Sequence, residues 1–181
     1  AIAKGLAAGY QPIGALLVAN EIYNQIRTKS GYFQHSFTFM GHPIACAAGA
    51  ATLRVIEEEG LLFKVKNRGE ELMEMLEARF GNQPNVGDIR GRGLMQAVEF
   101  VADRGTKQPI NSTLQFATRL KKAAFSRGLI CYPMGGTIDG QNGDHVLLAP
   151  PFISNSEDIV NIVAILGDSV EGVVEELGLH N

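Results

Sequence analysis

The chain has 181 residues, enough for one good-sized hydrophobic core or two small ones. Apolar residues make up 45% and charged residues 19%, a balance that excludes a disordered or fibrous chain. Sixteen basic against nineteen acidic residues leave a net charge of -3 with no basic stripe, which argues against nucleic acid as a partner.

No run approaches the roughly 20 apolar residues that span a bilayer, so no membrane association is expected. Cys46 and Cys131 are the two cysteines, both in apolar settings. A disulfide-stapled secreted domain carries more, so both are expected to be reduced core residues. The chain opens on Ala-Ile-Ala-Lys, with neither an initiator Met nor a signal-peptide pattern. It reads as a protein entered partway through, and the cytoplasm is the expected compartment.

Residues 1–14 hold Lys4 among glycines and lead into a turn. Ile13 to Ala19 is a short apolar run expected as a buried strand, followed by a brief helix over Glu21–Thr28. Lys29–Gly41 shows no period and carries Tyr32, Phe33, Phe37 and Phe39, which makes it a loop expected to pack against something. Pro43 suits the first position of a helix that continues through alanine-rich 44–59. After Gly60, the stripe Leu62, Val65, Leu72, Leu76 and Phe80 predicts a surface helix stopped by 81–84.

Leu94–Val101 reads as a strand. Ser112 and Gln115 suggest a capping box for a helix bearing Leu114, Ala117, Leu120 and Ala124, ended by Gly128. Strands follow at Leu129–Tyr132 and Val146–Ala149, separated by a polar Gly-rich loop over 135–144. Ser154 and Glu157 suggest a second capping box, for a helix with Ile159, Ile162, Val163, Leu166, Val170, Val173 and Leu177 on its apolar face. The pattern from residue 85 on is that of a compact α+β or α/β unit, whereas the first 41 residues look like one edge of something larger.

Four groups of residues bear chemistry. Lys4 has an amine able to form an imine with an aldehyde, and Gly5 and Gly9 would let a flat ring approach the backbone; a solvated lysine beside glycines is the plainer reading. His35, Ser36, Thr38 and His42 form the densest polar cluster: Ser36 and Thr38, just before a helix N-terminus, suit an anion, though capping that helix or bonding within the loop is the plainer reading, and the two histidines, seven apart, lack the spacing of a zinc site. Asp88, Arg90 and Arg92 frame a turn, where an arginine either clamps a carboxylate or fixes the turn, and the glycines around them precede a strand where a dinucleotide loop would follow one. Asp139, Asp144 and His145 fall in or beside the Gly-rich loop and read as a flexible rim more readily than as catalysts.

Taken together, the segments 3–15 (AKGLAAGYQPIGA), 36–48 (SFTFMGHPIACAA), 88–95 (DIRGRGLM) and 143–152 (GDHVLLAPPF) resemble the class III (omega) aminotransferase family, collinearly over nearly the whole chain. The resemblance implies an α/β chain that is part of a fold-type I pyridoxal-phosphate transferase. Residues 1–60 would be the end of the large cofactor-binding domain, 61–84 a connecting helix and 85–181 a small α+β C-terminal domain. It implies that Lys4 binds pyridoxal 5'-phosphate covalently, and that Thr38, with the backbone beside Phe37, contacts the cofactor phosphate of the opposite subunit in a homodimer with shared sites. The implied reaction moves an amino group from a small-molecule amine or amino acid to a 2-oxo acid. An aminomutase or decarboxylase on the same scaffold, or a non-catalytic fragment, are the alternatives. Two departures stand out. The family's ring-stacking and pyridine-facing residues lie upstream of the lysine, so the fragment alone is expected to be inactive. Gln141 and Asn142 occupy the stretch where many relatives carry a carboxylate-binding arginine.

Overall fold

The structure, a computed structural model, describes residues 1–179. The chain divides into two compact units that meet in sequence between Leu61 and Leu62.

The first unit is held together by few buried side chains. Ile2 and Ala15 exchange two backbone hydrogen bonds of 2.8 Å, which close a loop containing a short 3-10 turn over Lys4–Ala7. Helix α1 (Asn20–Lys29) buries none of its residues. Helix α2 (Pro43–Glu58) packs on the 3-10 turn through Ala45 and Gly49, one helical turn apart on the same face. A Cβ on Gly49 would sit 3.6 Å from Ile13 Cδ1 and 3.7 Å from the Leu6 carbonyl oxygen, so glycine sets how closely the turn lies on α2. The expected strand over Ile13 to Ala19 is not formed beyond the single bridge at Ala15. Leu16 and Leu17 are exposed, and no neighbouring strand among the described residues satisfies their backbone.

The second unit begins within helix α3 (Leu61–Phe80) and has its own core. Strands β1 (Val86–Arg92), β2 (Met95–Phe100), β3 (Tyr132–Met134) and β4 (Asp144–Leu148) form one antiparallel sheet in the order β1-β2-β4-β3. Helices α4 (Phe116–Ser126) and α5 (Ser156–Leu177) pack against each other and share a core with α3 and the sheet. Leu72, Leu76 and Phe80 from α3 meet Val98 and Phe100 from β2 in that core, all at most 1% exposed. Of the expected α3 stripe, Leu72, Leu76 and Phe80 enter the core and Val65 packs against it, whereas Leu62 is exposed. Ion pairs of Arg79 with Glu171 (2.7 Å) and of Arg119 with Glu176 tie α5 to its neighbours at the surface, where such pairs add little stability.

Two caps differ from the expected capping boxes. Asn155 caps α5 in a reciprocal box with Asp158, one residue beyond the Ser154 and Glu157 pair, because the Asn carboxamide reaches the Asp158 N–H at 3.0 Å. Ser112 does not start α4: Asn111 caps a separate 3-10 turn over Ser112–Leu114, Gln115 turns left-handed at φ 52°, and α4 begins at Phe116.

One of the first donors of α4 is instead served by Asp144 Oδ1, which accepts from the Ala117 N–H at 3.1 Å from 27 residues away. Asp144 is buried, a structural cap and not part of the flexible rim expected. Burial pushes its carboxyl above the ordinary value, against the opposing pull of the Ala117 N–H and of His145. A carboxyl raised in the folded state binds more protons folded than unfolded. Its contribution is therefore full below the ordinary aspartate range, near about pH 4, and falls as pH rises through the raised value. Asp144→Asn keeps the acceptor without the charge, so it should gain on the native residue between pH 4 and pH 7. Asp144→Ala should lose about 1 kcal/mol of local stability at pH 4 and less at pH 7. Amide hydrogen exchange over α4 checks this; an Asn variant that loses protection as Ala does would refute the neutral-acceptor account.

Candidate active site around Lys4

The first unit places Lys4 in an unusual backbone. Its φ is +54°, in the left-handed region that non-glycine residues seldom occupy, and Ala8 at φ +49° closes the same turn. Such positions cost of order 1 kcal/mol or more and concentrate where function needs a fixed geometry. The turn keeps this shape because Ala7 is fully buried, Leu6 lies over Gly49, and the Ile2 and Ala15 pair pins its ends. Lys4 is exposed, and no ion pair among the described residues engages it. An added Cβ on Gly5 or Gly9 would meet nothing within 4 Å, so the space above both is open.

A hollow of about 400 Å³ lies in the same unit, lined by residues 11–14 and by Phe37, Phe39, Met40, His42 and Cys46. The segment that follows Lys4 thus forms one wall and the loop before α2 the other. Thr38 sits in a turn closed by the Met40 N–H donating to the Phe37 carbonyl at 2.9 Å. Neither Ser36 nor Thr38 caps α2; the cap is His42, whose Nδ1 accepts from the Ala45 N–H at 3.4 Å. His35 stands edge-on between Phe33 and Phe37, with ring centroids 5.8 and 4.7 Å away. Phe37 is 69% exposed and Phe39 is 76% exposed, so the loop's aromatics are not buried by the rest of this unit. Cys46 corrects the expectation of a core cysteine: it is exposed on α2 and lines the hollow, whereas Cys131 is half-buried with its thiol pushed up by burial. Both thiols are free.

The remaining candidates belong to the second unit. Arg90 donates to Asp88 at 2.6 Å and to Glu99 across the β1 and β2 pair at 2.8 Å, so it fixes the hairpin and is already paired. Two carboxylates hold its guanidinium proton above the ordinary arginine range. In the Gly-rich loop, Asp139 accepts from the Gln141 and Asn142 N–H groups and from the Asn142 carboxamide, which lowers its carboxyl to about 2. The stretch that lacks an arginine is thus folded around a permanent negative charge. Among the described residues, no group of three or more His, Cys, Asp or Glu could hold a metal ion.

The sequence offers Ser36 and Thr38 as caps of this helix, whereas the His42 ring caps it; the place of His42 directly before Pro43 was the signal, since Pro at the first helical position marks the preceding residue as the cap.

A family model described as Aminotransferase class-III matches residues 1–170. An uncharacterised aminotransferase of Schizosaccharomyces pombe is 39% identical over 176 residues, covering 97% of this chain and 38% of that protein. A diaminobutyrate–2-oxoglutarate transaminase of Halomonas elongata is 34% identical over 179 residues, covering 97% and 37%. The solved structure of a transaminase from the marine bacterium Virgibacillus superposes with a TM-score of 0.89 at 34% identity, over 97% of this chain and 39% of that one. The chain spans well under half the length of these relatives. With the family model running through both units, the chain belongs to the class III aminotransferase family and corresponds to a C-terminal portion of its fold-type I α/β polypeptide.

Proposed function

We propose that the full-length protein is a pyridoxal-phosphate-dependent aminotransferase in which Lys4 holds the cofactor. The observation that carries this reading is the left-handed backbone of Lys4, fixed on α2 in the unit that holds the apolar hollow. The residues present fit the group. The space above Gly5 and Gly9 admits a flat ring, and the amine of Lys4 has no competing carboxylate among the described residues.

When bound, pyridoxal phosphate supplies an aldehyde carbon for a lysine amine and a ring that takes up charge from the substrate carbon. Lys4 then has two duties. It would anchor the group covalently, and its freed amine would serve as the base that moves the proton of the donor's α-carbon. Phe37, Phe39 and Met40 give the hollow an apolar wall. The Thr38 hydroxyl and the main chain beside Phe37 serve the phosphate of the partner subunit's cofactor, which makes the working unit a homodimer. A relative named for diaminobutyrate and 2-oxoglutarate, and a tomato relative named as a gamma-aminobutyrate transaminase at 35% identity, support an amine or amino acid as donor and a 2-oxo acid as acceptor.

The test is an absorbance spectrum of the full-length protein with pyridoxal phosphate, before and after an amine donor is added. A visible band from lysine-bound cofactor that bleaches with donor is the expected result. No band at saturating cofactor would sink the reading.

A further inference from the structure

We infer that Asn142 is a deamidation site of this protein, and that Asp139 sets the rate by holding its carboxamide. Neither residue enters the cofactor chemistry proposed above.

Asn142-Gly143 is the one Asn-Gly dipeptide of this sequence, and it follows directly on the one Asp-Gly dipeptide, Asp139-Gly140, across Gln141. A glycine has no Cβ to shield its nitrogen, so both dipeptides favour closure of a five-membered imide. In that step the Gly143 nitrogen attacks Asn142 Cγ and the Cγ–Nδ2 bond breaks. The attacking nitrogen gives up its proton, the leaving group gains one, and ammonia departs. Water then opens the imide at either carbonyl, leaving an aspartate or an isoaspartate. Water is the one reagent required, and it has access: residues 137–141 are exposed and Asn142 is half-buried.

The folded loop opposes this closure. Asn142 Nδ2 donates to Asp139 Oδ2 at 2.8 Å, and the Gln141 and Asn142 backbone N–H groups donate to Asp139 Oδ1 at 2.9 and 2.7 Å. One carboxylate therefore grips both the carboxamide and its own main chain, and turning Cγ toward Gly143 breaks that grip. Gly143 is buried and left-handed at φ +93°. The Asn142 carbonyl accepts from the Ile138 N–H at 3.0 Å and the Gly143 carbonyl from the Thr137 N–H at 3.3 Å. Thr137 Oγ1 and Ile138 Cγ1 each stand 2.8 Å from where a Gly143 Cβ would be, so this peptide has little room to rotate. Asp139-Gly140 is kept from the same reaction by the same bonds. They lower the Asp139 carboxyl to about 2, and an ionised carboxylate has no neutral water to release.

Deamidation removes the donor of the 2.8 Å bond and sets a second carboxylate against Asp139. An isoaspartate also adds a methylene to the main chain directly before Gly143 and Asp144, the residue that caps α4.

The experiment incubates the full-length protein, folded and in denaturant, at mildly alkaline pH beside its folded Asp139→Ala and Asp139→Ser variants. Peptide mass mapping follows the replacement of NH2 by OH at each asparagine of this sequence. In denaturant Asn142 should convert first. In the folded native protein it should convert at least about tenfold more slowly, and Asp139→Ala should recover most of that difference. Asp139→Ser keeps a hydroxyl acceptor for the backbone N–H groups but loses the oxygen that holds Nδ2, so it should also convert faster with the turn retained. Amide hydrogen exchange over β2 checks that the variants are folded. Asn142→Asp, the product itself, should speed exchange at the Ile138 N–H about tenfold while β2 is unchanged. Another asparagine of this sequence converting first in denaturant overturns the site. A folded Asp139 variant that converts as slowly as the native protein overturns the role of Asp139. Unchanged exchange at Ile138 in Asn142→Asp does the same, whatever the Asp139 variants show.

Discussion

Lys4→Ala in the full-length protein is expected to lower amino-transfer turnover by roughly 10³-fold or more while leaving the fold intact, since the proton-transfer group and the covalent anchor are removed together. The fold should survive because Lys4 is exposed and the turn around it is held by Ala7, Leu6 on Gly49, and the Ile2 and Ala15 bridge. Lys4→Gly provides a second arm. It should be as inactive as the alanine variant yet at least as stable as the native protein, because glycine adopts φ near +54° without the penalty a side chain carries. Turnover of an amine donor with a 2-oxo acid, alongside the thermal midpoint, checks both. Near-normal turnover in either variant would refute the assignment of Lys4.

Gly69→Val should destabilise the second unit by about 2–3 kcal/mol, an overpacking cost with little room to relax. Gly69 lies in α3 where the β1–β2 turn crosses it, and an added Cβ would fall 2.4 Å from the carbonyl carbon and oxygen of Gly93. Real Cβ atoms do not come that close to backbone, so the turn would have to move. It is not free to do so. Gly93 is left-handed at φ +55°, its carbonyl accepts from the buried Gln96 carboxamide at 2.7 Å, and Val65 closes in from the helix side. Gln96 has one carboxamide oxygen without a partner already, so moving the turn puts its remaining bonds at risk. Gly172→Ala in α5 is the contrast, since its Cβ would meet only an arginine tip at 3.6 Å. There the gain in helix propensity, up to about 1 kcal/mol, is unopposed. Thermal midpoints should move in opposite directions for the two glycines; a Gly69→Val variant as stable as the native protein would mean that the turn is loosely seated.

Elements whose signal repeats along the chain were legible before any coordinates. The apolar stripes of α3 and α5 show a period of 3.6, and Leu72, Leu76, Phe80, Ile159, Leu166 and Val170 are all fully buried. The Lys4 segment and the loop before α2 were legible through family resemblance, and the family itself was identified on those motifs. By contrast β1 does not read as a strand on composition alone, because Gly87, Asp88, Arg90, Gly91 and Arg92 break any apolar alternation and leave Val86 and Ile89 as its β-branched residues. Its strand character comes from pairing with β2, and Gly91 is required where the Gln96 side chain and the Met95 carbonyl leave no room for a Cβ.

Other features belong to the tertiary structure alone. The cap of α4 comes from Asp144, 27 residues further on, after a nearby Ser and Gln had suggested a local box. Ile13 to Ala19 has the composition of a strand, yet a strand needs a neighbour to bond its backbone, and only Ala15 finds one. The sequence by itself determined the periodic helices, the lysine-bearing turn and the family, because each is written in residues close together along the chain. Tertiary structure decided the caps, the edges of the sheet and the left-handed backbone of Lys4. Those depend on which distant groups arrive to accept a hydrogen bond or to leave room, and local sequence does not carry that information.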